Sequence, residues 1–366
     1  MRILSLILLL LIASLTGAGQ AAEPSKKKKS KISKTSPAAG ATYEKNKDAM
    51  AWAELAAKTH HLDVKWVKAQ ISQARFIPSI PKLVMPPTQL NKKNWAAYQA
   101  RFIEPRRIQA GVQFWQANEA LLLRAEQIYG VPQWLIVSII GVETFYGQHT
   151  GNFRILDALS TLSFDFPKDH PRAAERQAFF SKELAQFLVL TAKEKIKPSS
   201  LKGSYAGAMG LPQFMPSSWA QFAVDFDGDK HIDLFNNKAD VIGSVANYFK
   251  AFQWQSGMPT HYSVQFHKTQ VDMEALMAPD ILPTFSVSSL MAKGALLEGE
   301  ALEHKGPLAL IELLNGAEAP SYVVGTENFY AITRYNWSSY YAMAVIELGQ
   351  AIQTQLQTKQ GPTQKQ

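Results

Sequence analysis

The sequence predicts a mainly α fold, of the α+β kind, in which a helical body carries one small inserted β-lobe. Three observations predict it. Residues 131–147, VPQWLIVSIIGVETFYG, read as a helix that is apolar almost all round, and such a helix must be enclosed by other elements. Apolar residues recur near helical spacing within 46–130 and again within 172–195. Between 261 and 332 the pattern changes to HYSVQF, TFSVSSL, ALIELLNG and SYVVGTENFYAI, short strand-like runs parted by Pro and Gly turns. With 366 residues and 46% apolar content, the chain can bury a large core in two or three lobes.

In chain order, Arg2, the apolar run from Ile3 to Leu15 and the small residues Gly19 and Ala21 read as a secretory signal peptide over 1–21. Its apolar run is too short for a comfortable membrane span. Residues 22–45 form a Lys/Ser/Pro/Ala tail that is expected to be disordered. Of the formal charge of +8, residues 22–50 carry +5 and Arg2 +1, which leaves +2 from Ala51 onward. The tail therefore suits an anionic membrane or cell-wall surface, or serves as a plain solvated spacer. The near-neutral body argues against a nucleic acid partner. The chain has no cysteine, which excludes disulfides, thiolate catalysis, Cys metal sites and a Cys-linked lipid anchor. The expected location is periplasmic and soluble, with no transmembrane anchor.

A helical lobe is expected over 46–130, with a short helix from Asn94 to Phe102 and one long helix from Ile108 to Tyr129. A core follows over 131–260. It contains a long helix from Arg172 to Lys195, whose apolar face is Phe179, Phe180, Leu184, Phe187 and Leu188, and a Gly/Ser/Pro-rich loop at 198–218. The β-lobe spans 261–332. Residues 333–358 return to helix, and 359–366 should be frayed.

Glu143 is the one carboxylate of the 131–147 stretch, on a helix face with Ile136, Ile139 and Ile140. Desolvation should raise its pKa, which suits a general acid; enzymes tune Glu to roughly 6–7 in this way. Gly147 should end the helix and leave Glu143 in the last turn near a cleft. The competing structural reading is a core Glu bonded to a buried Arg or a backbone amide.

Four stretches stand out together: GVETFYG (141–147), GSYAGAMGLPQFMPSS (203–218), DFDGDKHID (225–233) and ITRYNWSSYYAMAV (332–345). The set resembles the family 3 lytic transglycosylases of the membrane-bound lytic transglycosylase B type, from about Tyr98 to Val345. The resemblance implies a lysozyme-like helical core. It also implies cleavage of the β-1,4 bond between N-acetylmuramic acid and N-acetylglucosamine in peptidoglycan, with a 1,6-anhydro end. Glu143 matches the catalytic acid. No second acid lies within its motif, the next being Asp157. One residue can serve both steps, because the sugar's own O6 hydroxyl is a tethered nucleophile. By the family's spacing Ser204 should hydrogen-bond Glu143, and Gln213 and Phe214 should meet sugar. Tyr98 and Tyr248 match aromatic positions of the groove, and Arg176 matches a basic position for peptide or muramyl carboxylates. In the fourth stretch, Asn336 can hold an acetamido group through a donor and an acceptor. Tyr335 and Tyr341 offer ring faces to sugars.

The third stretch resembles an EF-hand loop. Asp225, Asp227 and Asp229 stand at positions 1, 3 and 5, and the His231 carbonyl at position 7. Position 6 is Lys230 rather than Gly, which implies strain of about 1–2 kcal/mol, and position 12 is Asn236 rather than Glu. The family's longer loop puts Asp240 at the place of the bidentate acid. A structural Ca²⁺ is expected. The alternative is a solvated Asp/Gly turn.

Peptidoglycan strands are the expected partner, with cell-wall synthesis and hydrolysis enzymes as candidates. The rival readings are a lysozyme-like muramidase that hydrolyses the same bond, an inactive wall-binding scaffold, and a calcium-dependent structural protein.

Overall fold

The structure, a computed structural model, describes residues 40–86 and 93–360. The expected signal peptide and most of the expected basic tail fall outside the described residues. No helix among the described residues is long and apolar enough to cross a membrane.

The fold begins before residue 46, so the tail ends earlier than its expected limit at 45. The Tyr43 N–H donates to the Ala74 carbonyl at 3.1 Å. Its ring is buried, and its hydroxyl donates to Asp165 Oδ2 at 2.6 Å. Helices Lys47–Thr59 and Val64–Gln73 follow, N-capped by the Asn46 and Asp63 side chains. The short helix is Trp95–Gln99, capped by Asn94.

The single helix expected from Ile108 to Tyr129 is two helices, Pro105–Ala117 and Glu119–Tyr129. Asn118 breaks it: its backbone leaves the helical region (φ −126°, ψ 22°) and its Nδ2 donates to the Phe114 carbonyl at 2.7 Å. Asn competes for backbone partners in this way, and periodicity does not reveal it.

The central helix is Gln133–Thr144, starting after Pro132. Every residue from Leu135 to Val142 is buried. Helices Pro105–Ala117, Glu119–Tyr129, Lys238–Ala251 and Ser339–Gln360 pack around it, as all-round apolarity requires. The helix stops before Gly147. Phe145 and Tyr146 both adopt left-handed backbone, φ 50° and 58°. Thr144 Oγ1 holds this turn, accepting from the Gly147 N–H at 3.1 Å and donating to the Leu211 carbonyl at 3.0 Å.

Helices Ile155–Phe164 and Ala173–Lys193 pack as a pair on one side of this core. Strand Lys202–Gly203 pairs antiparallel with Phe153–Arg154 and leads into the Gly-rich loop and helix Pro216–Phe222.

The inserted lobe has its own apolar cluster, including Leu276, Leu290, Leu308, Leu310 and Val324. Its three-stranded antiparallel sheet has Glu318–Gly325 in the middle, flanked by His261–Ser263 and Ala309–Asn315. Gln265–Phe266 pairs separately with Ala295–Leu296. One expected strand is mostly helical, and another is strand only in its first half. In TFSVSSL, Ser286 accepts from the Ser289 N–H and starts helix Val287–Ala292. In SYVVGTENFYAI, Thr326 caps helix Glu327–Thr333 after the strand ends. The last helix, Ser339–Gln360, continues past the expected fraying point at 359, and 361–366 lie outside the described residues.

Candidate active site

Glu143 lies in the last turn of the central helix and opens into a groove of about 200 Å³. Five segments build the groove. Gln213, Phe214 and Met215 come from the Gly-rich loop, and Ser217, Ser218, Gln221 and Phe222 from the helix after it. Tyr248 and Phe252 come from Lys238–Ala251 and its end, and Thr333 to Trp337 from the turn before the last helix. Phe179 comes from Ala173–Lys193. Glu143 is the only carboxylate among the lining residues.

Burial pushes the Glu143 carboxyl up to about 7, and the Tyr341 hydrogen bond pulls the other way. The Tyr341 hydroxyl donates to Glu143 Oε1 at 2.6 Å. This contact corrects the expected pairing with Ser204. Ser204 is buried, and its Oγ accepts from the Ala208 N–H at 2.9 Å, closing the turn at Gly207. The competing reading of Glu143 required a buried Arg or amide partner; the partner found is a neutral phenol.

The aromatic wall is continuous. Tyr335 packs on Tyr248 with centroids 4.7 Å apart, and it stacks on Tyr341 at 6.4 Å and 14°. Phe214 closes the group at 5.7 Å from Tyr248. The hydroxyls are spent on the backbone: Tyr248 donates to Arg334 O at 2.6 Å and Tyr335 to Pro212 O at 2.5 Å. These tyrosines therefore fix the shape of the wall. Gln213 has left-handed backbone (φ 51°), and its Nε2 donates to Gly210 O at 2.9 Å. Asn336 Oδ1 is buried in this structure with no hydrogen-bond donor, although its residue lines the groove. A buried acceptor of this kind is costly until a donor arrives.

Two expected contacts lie elsewhere. Tyr98 packs against Trp95, Phe102 and Tyr340 and is not a lining residue. Its hydroxyl is pushed up to about 12 by burial first and by the Glu143 charge second. Arg176 lies over the Phe180 ring at 5.2 Å, also outside the lining. The cation that lines the groove is Arg334, set among the Phe252, Tyr330 and Trp337 rings. Its neighbour Trp337 directly follows RYN and could have been taken with that motif. Phe252 and Phe179 carried no signal beyond helix periodicity. Glu183 was also missed: it accepts from the Ser217 N–H and hydroxyl, at 2.9 and 2.6 Å, and anchors that helix start under the groove.

Away from the groove, carboxylate oxygens of Asp225, Asp227 and Asp229 lie within 4.8 Å of one another. Lys230 takes the left-handed backbone its position demands, φ 73°. Asp225 accepts from the N–H groups of Gly228, Asp229 and Lys230, which shapes the loop. His231 is exposed, and its N–H donates to Asp229 Oδ1 at 2.7 Å. Asp240 stands apart from the cluster. It is fully buried, and its oxygens accept from the Phe226 and Asp233 N–H groups at 2.9 and 2.8 Å. It braces the loop from behind.

The family description "Transglycosylase SLT domain" matches residues 44–350. The chain is 41% identical over 330 residues to membrane-bound lytic murein transglycosylase B of Escherichia coli (strain K12), covering 86% of this chain and 84% of the relative. Among solved structures it is similar to the lytic transglycosylase SltB1 from Pseudomonas aeruginosa (TM-score 0.78, 40% identity, 86% of this chain and 100% of that one). It is also similar to the Escherichia coli lytic transglycosylase Slt35 in complex with calcium (TM-score 0.74, 40% identity, 87% and 96%). SltB3 from Pseudomonas aeruginosa, solved with NAG-anhNAM-pentapeptide, is more distant (TM-score 0.70, 25% identity, 86% and 80%). With its lysozyme-like helical core and its single acid in an aromatic groove, the chain belongs to the SLT-domain family of peptidoglycan lytic transglycosylases.

Proposed function

We propose that this protein cleaves the β-1,4 bond between N-acetylmuramic acid and N-acetylglucosamine and leaves a 1,6-anhydro muramyl end, with Glu143 as the only acid–base residue. One observation carries the reading: Glu143, with a pKa of about 7, is the sole carboxylate lining the groove. A glycosidase that activates water or forms a glycosyl-enzyme needs a second carboxylate. Here protonated Glu143 gives its proton to the leaving oxygen as the C1–O bond breaks. The resulting carboxylate takes the proton from the muramyl O6 hydroxyl, and O6 bonds to C1. No water is consumed and Glu143 ends protonated. A tethered hydroxyl supplies the effective molarity that an activated water would otherwise provide.

Asn336 Oδ1 would accept from an acetamido N–H, and the Tyr248 and Tyr335 wall would face sugar rings, while Tyr341, expected to do the same, is buried behind them and acts through its hydrogen bond to Glu143. Arg334 would meet the muramyl or peptide carboxylates in place of Arg176. SltB3 is described in complex with both NAG-anhNAM-pentapeptide and NAG-NAM-pentapeptide. The aspartate cluster fits Ca²⁺ by its donor chemistry, since three hard carboxylate oxygens this close repel one another without a cation. Asp225, Asp227, Asp229 and the His231 carbonyl would hold it, and its role would be to fix the loop ahead of Lys238–Ala251, which carries Tyr248. The secretory leader and the periplasmic location belong to the same reading.

The test is digestion of purified peptidoglycan by wild type and Glu143→Gln. Wild type should release anhydromuramyl fragments. The variant should lose at least about 10²–10⁴-fold in turnover. Wild-type turnover in the variant would remove Glu143 from the mechanism.

A further inference from the structure

A second buried carboxylate stands behind the wall of the active groove. Glu183, on helix Ala173–Lys193, is 3% exposed and does not line the groove. Its Oε2 accepts from the Ser217 N–H at 2.9 Å, and its Oε1 from the Ser217 hydroxyl at 2.6 Å. Helix Pro216–Phe222 has no side-chain cap of its own, so the first bond replaces one. Capping needs one oxygen only, and a neutral amide supplies it without the cost of a buried charge. The second bond is what a carboxylate adds. Both its oxygens are acceptors, so it draws the serine hydrogen inward. The two bonds favour the charged form and oppose the upward push of burial on the Glu183 carboxyl. Ser217 itself is half-buried and lines the groove. With its hydrogen on Glu183, its Oγ offers the groove lone pairs alone.

Other lining residues share this polarity. Gln213 Nε2 faces two carbonyls, Gly210 O at 2.9 Å and Thr150 O at 3.2 Å. Carbonyls only accept, so the amide turns its nitrogen to them and keeps Oε1 for any further partner. The Thr333 hydroxyl donates to Tyr330 O at 2.7 Å. We propose that Glu183 is a positioning residue for the substrate: it fixes Ser217 as a hydrogen-bond acceptor, and Ser217 Oγ takes a hydroxyl hydrogen of the glycan strand. The proposal rests on the reading that peptidoglycan is the substrate. The donors of a glycan are its hydroxyls and its acetamido N–H groups. Asn336 is assigned an acetamido N–H above, which leaves a hydroxyl for Ser217. The charged partner makes the serine oxygen a stronger acceptor, because hydrogen bonds in a chain polarise one another.

The test uses the full chain carrying Glu143→Gln, so that binding is read without cleavage. Its affinity for peptide-free glycan strands is measured by calorimetry, alone and with Ser217→Ala, Glu183→Gln or both. Glu183→Gln keeps the shape and the acceptor for the Ser217 N–H. Its amide nitrogen donates to Ser217 Oγ, however, and turns the serine hydrogen out into the groove. Ser217→Ala removes the oxygen. Each should weaken binding about 3–10-fold, the range of one hydrogen bond. The double variant should bind no more weakly than Ser217→Ala, because Glu183 acts through that hydroxyl. With Glu143 intact, the loss in Ser217→Ala should appear in KM rather than in kcat. Unchanged affinity in Ser217→Ala would overturn the proposal, and that variant decides the matter even where Glu183→Gln fails to fold, since it keeps the N–H bond. A Glu183→Gln loss that persists in full beside Ser217→Ala would also overturn it, by marking Glu183 as a support of the fold alone. Absence of glycan binding by the Glu143→Gln chain itself would remove the substrate reading and this proposal with it. Glycan binding by that chain without cleavage by the wild type would count against the catalytic reading only.

Discussion

Glu143→Gln should make the protein inactive and, above neutral pH, more stable. The carboxyl titrates near 7 in the fold against an ordinary 4.5, with burial as the main cause. The unfolded chain therefore releases this proton at lower pH than the folded one. Between about pH 4.5 and 7 the folded state binds more protons, so wild-type stability falls as pH rises through that window. A tenfold change in an acid's ionisation constant corresponds to about 1.4 kcal/mol, which sets an upper limit of roughly 3 kcal/mol. Solvent reaches the groove, so we expect about 1–3 kcal/mol. Glutamine keeps the shape, never ionises, and still accepts from the Tyr341 hydroxyl. Burial also raises Asp157, Asp165 and Glu183, so the wild-type curve alone mixes several groups. The difference between wild type and variant isolates one. Urea unfolding at pH 4 and pH 8 measures it. The two proteins should match near pH 4, and the variant should be the more stable at pH 8. An equal difference at both pH values, or a less stable variant at pH 8, would refute the reasoning.

Tyr341→Phe removes the one contact that lowers the Glu143 pKa, so the alkaline limb of the kcat profile should move up by about one pH unit. An unmoved limb would deny the hydrogen bond any tuning role. Calcium should raise the Tm of the wild type by mass action, and Asp225→Ala should remove that increment; calorimetry without calcium uptake in the wild type would leave the loop a plain turn. Gly141→Ala should cost about 1–3 kcal/mol in chemical denaturation, because a Cβ there would lie 2.4 Å from the buried Tyr146 hydroxyl and 2.7 Å from its ring. Neutral behaviour would mean that the central helix can shift.

The central helix and its acid were legible because all-round apolarity and a lone carboxylate are properties of one short stretch. The loop at 225–240 was legible down to the strained Lys230, since alternating acids fix positions along a loop. What escaped depends on partners distant in sequence. The hydrogen bond to Glu143 comes from Tyr341, 198 positions away, and not from Ser204, whose hydroxyl serves its own turn. Asp240 is an acid at a ligand-like spacing, but burial and two backbone N–H groups turn it inward. Phe145 and Tyr146 take a backbone that bulky residues avoid, held by the Thr144 contacts across to Leu211. TFSVSSL has strand letters, yet Ser286 caps a helix, a local competition that residue propensity does not resolve.

The central claim is that a single carboxylate and a tethered hydroxyl replace an activated water. Digestion of peptidoglycan in water enriched in heavy oxygen, followed by mass spectrometry of the new muramyl ends, tests it most directly. The claim predicts anhydro ends with no label. Stoichiometric label in a reducing muramyl end would show hydrolysis and contradict it.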